Sequence, residues 1–258
     1  LGTLFVNKSI IWFLVLKIIY PFMRFAFNHK NQLVIFQNSD DAEKFIQQKL
    51  LNKNKVRLIK GSGVDISLFK NIKCPKDVVV IAYVGRLVKD KGVKEFIDAA
   101  SLLRHKGVKA RFLLVGDIDP KNPSSLTEED ITKLQKDQII EFKGYVNNIP
   151  YLLSTCSIIC LPSYREGFPK ILIEAAAAGR AIITTDVAGC RDAIIPDKTG
   201  ILVPPRDAKE LADAMMFLIE NPKKIISMGL AGRRCVEDNH SLNKITQQHF
   251  EIYTELLN

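Results

Sequence analysis

From Asp77 onward, the apolar positions alternate between strand-like runs and helical spacing. Apolar runs predict buried parallel strands at 78–84, 111–115, 139–142, 157–161, 181–185 and 200–203. Apolar residues at helical spacing predict a helix from Val93 to a stop at Gly107, one from Pro169 to a stop at Gly179, and one over 208–220. This alternation predicts the α/β class, with an open parallel sheet and helices on both of its faces.

The two ends of the chain do not continue this pattern. Short strands are predicted at 33–37 and 56–60 around a helix at 40–51, followed by a flexible turn at 61–65. The polar stretch 119–130 contains prolines and serines and is a predicted loop or short insertion. The segment 242–256 predicts a helix, in which the lone His249 is expected to pack rather than to bind a ligand.

The most apolar stretch of the chain, 10–27, is also predicted to be a helix. A membrane-spanning helix needs about 20 residues with few or no charges. Here Lys17, Pro21 and Arg24 interrupt the run. A buried or partly buried helix is therefore favoured over an interfacial helix with its cations among lipid headgroups, and a true span is the least favoured of the three.

Composition narrows the class of protein without choosing a partner. The 258 residues carry 37 Lys and Arg against 28 Asp and Glu, a net charge of +9 that favours anionic partners. Five cysteines without a Cys-x-x-Cys pair, and histidines without ligand spacing, predict a reduced cytoplasmic chain without structural zinc. Nucleic-acid binding is disfavoured because aromatic residues do not interleave the basic ones. A dehydrogenase is disfavoured because no Gly-x-Gly-x-x-Gly follows the first strand of the sheet.

Two segments carry candidate chemistry at the ends of predicted strands. Gly85 and Arg86 follow the first strand of the sheet, with Lys91 just beyond them. Arg86 can bind phosphate oxygens through two N–H groups and Lys91 adds a point charge, although both could be solvated surface cations. Glu166 precedes the helix predicted from Pro169. Because the carboxyl ends of parallel strands meet at one edge, both segments are expected to face the same crevice.

The helix start at Pro169 is a second candidate contact for an anion. Its free backbone N–H groups carry partial positive charge, and Gly167 allows close approach of a ligand. Glu166 can reach sugar hydroxyls, and Glu174 is suited to the cis-diol of a ribose. The alternative is that Glu166 only caps the helix start and Glu174 only faces solvent.

These segments resemble the retaining glycosyltransferase family 4 (group 1 glycosyltransferases, GT-B fold). The resemblance rests on Gly85-Arg86 with Lys91-Gly92, on Glu166 and Glu174 with seven residues between them, on the turn 61–65 with Phe69, and on 161–167. It implies a GT-B type chain: a remnant of the N-terminal acceptor domain at 1–60, an interdomain linker at 61–76, a complete Rossmann-like nucleotide-sugar donor domain at 77–238, and a helix at 239–258 that returns to the N-terminal domain.

The resemblance also assigns roles to residues. Arg86 and Lys91, beside Gly85, would grip the donor diphosphate, Glu166 the transferred sugar and Glu174 the ribose. The remaining substrate-binding residues that it implies are Gly167, Phe168, Pro169 and Lys170 at the phosphate and sugar wall, and Phe142, Gly144 and Tyr145 beside the base. Transfer is expected to retain the anomeric configuration and to need neither a cofactor nor a metal, because the cations take the role of a divalent ion.

The segments 117–130 and 184–192 are similar to those of bacterial enzymes that add hexose or N-acetylhexosamine units to polyprenyl-diphosphate-linked glycans. The expected partners are a nucleotide sugar, UDP-linked, and a glycan or lipid-linked acceptor, with no nucleic acid. The expected location is the cytoplasm, with peripheral contact at the inner face of the membrane.

The resemblance further implies that most of the acceptor domain is missing from this chain. The helices at 10–27 and 242–256 are therefore expected to expose apolar surface. Two alternatives stay open: a non-catalytic nucleotide-sugar-binding fragment, and a GT-B sugar-nucleotide epimerase.

Overall fold

A computed structural model describes residues 10–69, 75 and 77–257. Residues 1–9 of the predicted remnant, and 70–74 and 76 of the predicted linker, lie outside this description. The described chain forms two compact units. The smaller contains the residues up to Ile59 together with those from Gln247, and the larger is Lys60–Thr246. The described residues of the predicted linker belong to the larger unit.

The smaller unit is built on a pair of short parallel strands. Its elements are α1 (Ile10–Phe27), β1 (Val34–Phe36), α2 (Ser39–Gln47) and β2 (Val56–Leu58), with β1 paired to β2. Phe45, Leu50 and Leu51 form its buried core. Helix α2 ends at Gln47 and not at the predicted Leu51, because Lys49 adopts a φ of 56° that a helix cannot contain.

Helix α1 exposes one apolar face. Ile18, Phe22 and Phe25 are 66%, 72% and 80% exposed, as the family resemblance led us to expect for this helix. They follow one another at spacings of four and three residues, which places them on the same side of the helix. None of the helices in the described part of the chain is long and apolar enough to cross a membrane.

The larger unit contains a six-stranded parallel sheet flanked by helices, which confirms the predicted α/β class. Its strands are β3 (Val79–Val84), β4 (Ala110–Val115), β5 (Glu141–Gly144), β6 (Ile158–Leu161), β7 (Ala181–Thr185) and β8 (Gly200–Val203), in the spatial order β5-β4-β3-β6-β7-β8. Its helices are α3 (Val93–His105), α4 (Glu128–Lys136), α5 (Ile149–Ser154), α6 (Lys170–Ala177), α7 (Ala208–Glu220) and α8 (Pro222–Asn239). The last helix, α9 (Leu242–Leu257), belongs to the larger unit up to Thr246 and to the smaller unit from Gln247. Helix α3 packs on α7, and α6 packs on α8.

The strand order fixes where a ligand can enter. Connections from β3 lead outward to β4 and β5, whereas β6 begins the other half of the sheet on the opposite side of β3. Loops leaving the carboxyl ends of β3 and β6 therefore part in opposite directions and open a crevice between them.

Some bounds of the predicted elements differ in the structure for identifiable reasons. The stretch 119–130 is not entirely a loop, because Thr127 caps α4 by accepting from the Asp130 N–H while the Asp130 carboxylate accepts from the Thr127 N–H. Strand β5 begins at Glu141 instead of Ile139, because Gln138 turns the chain with a φ of 51°. Helix α6 begins at Lys170, with Pro169 as the extended residue before it.

Candidate functional site

The crevice at the ends of β3 and β6 brings together a lysine and a glutamate that the sequence placed at one edge. Lys91 Nζ lies 2.5 Å from Glu166 Oε1. The two side chains are 25% and 11% exposed, so the ion pair is largely shielded from water. Lys91 belongs to the segment after β3 and Glu166 to the segment after β6. The predicted meeting of these two segments is therefore observed.

Backbone contacts hold the two segments together. The Asp90 carbonyl oxygen accepts from the Tyr164 N–H at 2.9 Å and from Ser163 Oγ at 3.1 Å. Gly92 has a φ of 72°, and a Cβ atom there would lie 1.9 Å from the Pro162 carbonyl oxygen. Only glycine satisfies both demands. On the other side, a Cβ at Gly189 would lie 2.4 Å from the Gly167 carbonyl oxygen.

Arg86 lies at the same edge of the sheet, and its guanidinium group faces Asp119. Its Nη1 is 3.4 Å from Asp119 Oδ2, and the arginine side chain is 63% exposed. Its backbone is fixed by the Tyr83 hydroxyl, which donates to the Arg86 carbonyl oxygen at 2.6 Å. Burial first, and then the charge of Glu166, raise the pKa of Tyr83 far above its usual range, while Arg86 lowers it. The Tyr83 hydroxyl therefore stays protonated and continues to donate.

Asp119 is a site residue that the sequence analysis missed. It lies in the stretch read as a loop, where its only signal was its position shortly after β4. The Asp119 N–H donates to Ser125 Oγ at 2.8 Å, and the Leu87 N–H donates to the Asp117 carbonyl oxygen at 3.1 Å. These bonds fasten the loop along the segment that carries Arg86.

The start of α6 joins the site through Lys170 and Glu174. Lys170 Nζ lies 3.3 Å from Glu174 Oε1, with the two side chains 65% and 14% exposed. Burial raises the pKa of Glu174, and Lys170 partly offsets this. Pro169, the residue before α6, makes no side-chain cap bond, and amide groups at a helix start are suited to an anion.

Phe168, which is expected at a ligand wall, is a buried residue. Its ring is buried and packs on Gly61, where a Cβ would lie 2.6 Å from the ring, and on the His240 ring at 5.4 Å between centroids. Pro169 is buried as well, whereas Gly167 is exposed. Among these three residues only Gly167 is open to solvent, and Phe168 acts as packing beneath the loop.

The residues expected beside a base lie at the outer strand β5. Gly144 ends this strand with a φ of 63°, and its carbonyl oxygen accepts from the Gly116 N–H at 2.9 Å. Gly116 in turn touches Gly85, because a Cβ there would lie 1.9 Å from the Gly85 carbonyl oxygen. Phe142 is half-buried and Tyr145 is 67% exposed. Close glycine contacts thus connect the end of β5 to the end of β3.

Comparisons with known proteins agree on one family. The family model described as "Glycosyl transferases group 1" matches residues 64–234, well over half of the chain. The chain is 30% identical to the N,N'-diacetylbacillosaminyl-diphospho-undecaprenol alpha-1,3-N-acetylgalactosaminyltransferase of Campylobacter jejuni, an alignment that covers 100% of this chain and 69% of the relative. It is 29% identical to the capsular polysaccharide biosynthesis glycosyltransferase CapM of Staphylococcus aureus, over 83% of this chain and 59% of that one.

A solved structure agrees with these relatives. The crystal structure of a glycosyltransferase from Rickettsia africae matches with a TM-score of 0.79 at 25% identity, over 92% of this chain and 67% of that chain. The chain thus spans between about three fifths and about two thirds of the length of these proteins. From its family match, its relatives and its fold, this chain belongs to the group 1 glycosyl transferases.

Proposed function

We propose that this chain supplies the donor half of a retaining sugar transferase of family 4, which moves a hexose or N-acetylhexosamine from a UDP-linked donor to a lipid-linked or polysaccharide acceptor. The observation that carries the proposal is the Lys91–Glu166 pair at the crevice between β3 and β6. A cation for phosphate and an acceptor for sugar hydroxyls lie in contact there. A nucleotide sugar needs these two groups side by side, since its diphosphate adjoins its sugar.

The remaining site residues extend this arrangement in both directions. Arg86 and the amide groups at the start of α6 are suited to the diphosphate. Glu174 accepts hydrogen bonds and is largely buried, which suits the ribose hydroxyls. Gly144 and Tyr145 at the end of β5 are assigned to the base.

The leaving group sets the chemical task. Departure of a nucleoside diphosphate concentrates negative charge on its phosphate oxygens, and cations of the protein beside those oxygens stabilise that charge. Arg86, Lys91 and the α6 amide groups supply this positive charge from the protein, which is the basis for proposing metal-independent transfer. Among the described residues, no three His, Cys, Asp or Glu side chains are grouped to hold a metal ion.

The acceptor is proposed from the relatives. The C. jejuni relative is named for an acceptor linked through a diphosphate to undecaprenol, and CapM for capsular polysaccharide. An acceptor of this kind is held at a membrane, and the exposed Ile18, Phe22 and Phe25 of α1 support a peripheral contact there.

Calorimetric titration of this chain with UDP, and with UDP-linked hexoses and N-acetylhexosamines, tests the donor assignment. Lys91→Ala is expected to weaken UDP binding by roughly 10- to 100-fold, the value of a charge-assisted hydrogen bond. Lys94→Ala is the matched control, because it removes the same charge three residues away. The charge of Lys94 interacts with those of Asp98 and Asp130, which are not among the proposed site residues. Equal affinities for the two variants, or tighter binding of another nucleoside diphosphate, would contradict the assignment.

A further inference from the structure

The segment between β6 and Glu166 is attached to α3 by a side-chain contact that no assigned role explains. The Tyr164 hydroxyl donates to Glu95 Oε1 at 2.5 Å. Tyr164 lies two residues before Glu166, and Glu95 lies four residues after Lys91. This hydrogen bond therefore joins the same two segments as the Lys91–Glu166 ion pair, at a second point along each of them.

The Tyr164 ring also contacts an arginine. The Arg206 guanidinium carbon lies 4.7 Å from the centroid of the ring. Arg206 comes from the loop after β8 and has a φ of 65°, a conformation that non-glycine residues adopt only when their surroundings favour it. Cation–π contact with a half-buried tyrosine is one such gain. Tyr164 thus contacts the loop after β8 through its ring and the first turn of α3 through its hydroxyl.

The protonation of the tyrosine suits a permanent donor. Burial first, and then the hydrogen bond and charge of Glu95, raise the pKa of Tyr164 well above its usual range. The hydroxyl therefore keeps its proton at neutral pH. Its direction as a donor to Glu95 does not change.

Glu95 gains little stability of its own from this arrangement. Its second oxygen, Oε2, is buried and accepts no hydrogen bond from the described residues. A buried polar atom without a partner costs free energy. The hydrogen bond that Oε1 accepts from Tyr164 therefore explains a glutamate at this position better than a contribution to stability does.

We propose that Tyr164 and Glu95 are positioning residues that hold the Glu166 carboxylate where it meets the sugar of the donor. The proposal rests on the proposed function. Without the hydroxyl, the main chain keeps its bonds at Asp90 and Glu166 keeps its ion pair with Lys91, but the carboxylate is no longer fixed in the orientation that meets the sugar. Tyr164 contacts Asp90, Glu95 and Arg206, none of which is proposed to bind the nucleotide.

The test measures the factor by which the sugar improves binding, which is the affinity of the chain for the UDP-sugar divided by its affinity for UDP. Tyr164→Phe should lower this factor about fivefold, as expected for one hydrogen bond, and leave UDP affinity within about twofold. Glu95→Ala should do the same, and Glu95→Gln should restore the wild-type factor because its amide oxygen still accepts. In the double variant Tyr164→Phe with Glu95→Ala, the loss should not exceed that of either single variant.

Tyr151→Phe is the matched control, because it removes the hydroxyl of a tyrosine that is 67% exposed. Melting temperatures of all variants separate positioning from folding. If Tyr164→Phe lowers UDP and UDP-sugar affinity equally, or leaves the factor unchanged while Glu166→Gln lowers it, the positioning role is wrong and the proposed function stands. If the wild-type chain binds neither ligand, the proposed function fails, and the positioning role fails with it.

Discussion

Glu166→Gln is expected to change the affinities for UDP and for a UDP-sugar in opposite directions. In the free protein, Glu166 holds Lys91 at 2.5 Å and competes with any phosphate for the same ammonium group. Glutamine keeps the size and an acceptor oxygen but removes the charge. UDP alone should then bind more tightly, whereas a UDP-sugar should lose its contact with the ionised carboxylate.

The size of the first effect follows from the geometry. Two unit charges about 4 Å apart attract by roughly 1 kcal/mol in water and roughly 4 kcal/mol at an effective dielectric constant of about 20. With side chains 25% and 11% exposed, Lys91 and Glu166 lie between these limits. Desolvation and the new glutamine contact offset much of the attraction, so we expect a gain of about 1 kcal/mol, or roughly fivefold tighter UDP binding.

The second effect is the larger of the two. A hydrogen bond to a charged group contributes about 1.5–3 kcal/mol, of which the glutamine oxygen recovers a part. The advantage of a UDP-sugar over UDP should therefore fall by roughly tenfold or more. Calorimetry at low and at high salt measures both affinities, and salt should reduce the gain in UDP affinity because it screens the competing charge. Equal weakening of both ligands would refute the reasoning, since Glu166 would then act on the nucleotide or on the fold.

Three further outcomes follow from other features. In chemical denaturation, Gly92→Ala should lower the free energy of unfolding by about 2 kcal/mol or more beyond the effect of Gly107→Ala. Both glycines have a positive φ, but only a Cβ at Gly92 would meet a carbonyl oxygen, that of Pro162 at 1.9 Å. Equal losses of stability would show that the structure relaxes to relieve this contact. Burial lowers the pKa of His240, although the hydrogen bond of its ring to the Lys60 carbonyl oxygen partly opposes this shift. The stability that neutral His240 contributes is therefore present above the ordinary pKa of 6.5 and is lost as the pH falls through the lowered pKa. His240→Phe should reduce the pH dependence of the melting temperature in that range, and an unchanged slope would argue against this explanation. Burial raises the pKa of Glu174, so ionisation of this carboxyl group lowers the stability of the fold as the pH rises. Glu174→Gln should therefore raise the melting temperature at pH 7 by about 2–4 °C and weaken UDP binding, and a lower melting temperature would contradict this.

The sheet could be predicted closely where local signals agreed. Strands β7 and β8 and helix α7 have the predicted bounds, because continuous apolar runs define the strands and the Asp207 side chain accepts from two amide groups at the start of α7. Helix α8 was not predicted. Part of its packing face is glycine, and a Cβ at Gly229 would lie 2.1 Å from the Gly179 carbonyl oxygen. An apolar pattern cannot record a contact that depends on the absence of a side chain.

The candidate site could be predicted only as far as strand ends are predictable. The sequence placed Arg86, Lys91 and Glu166 at one edge because they follow strands of one parallel sheet. It gave no sign that Asp119 meets Arg86 or that Tyr164 meets Glu95, since these pairs depend on how separate loops pack. Nor did it show that the Phe168 ring packs against Gly61, which lies far from it along the chain.

The cations Arg86, Lys91 and Lys170 each face a carboxylate before any ligand arrives. An inorganic polyphosphate would have to displace these carboxylates without offering them a hydroxyl group. A nucleotide sugar offers its own hydroxyl groups to the displaced acids. Because its cations are already paired with carboxylates, the cleft would bind abundant anions weakly. It would favour a ligand that brings both phosphate and hydroxyl groups.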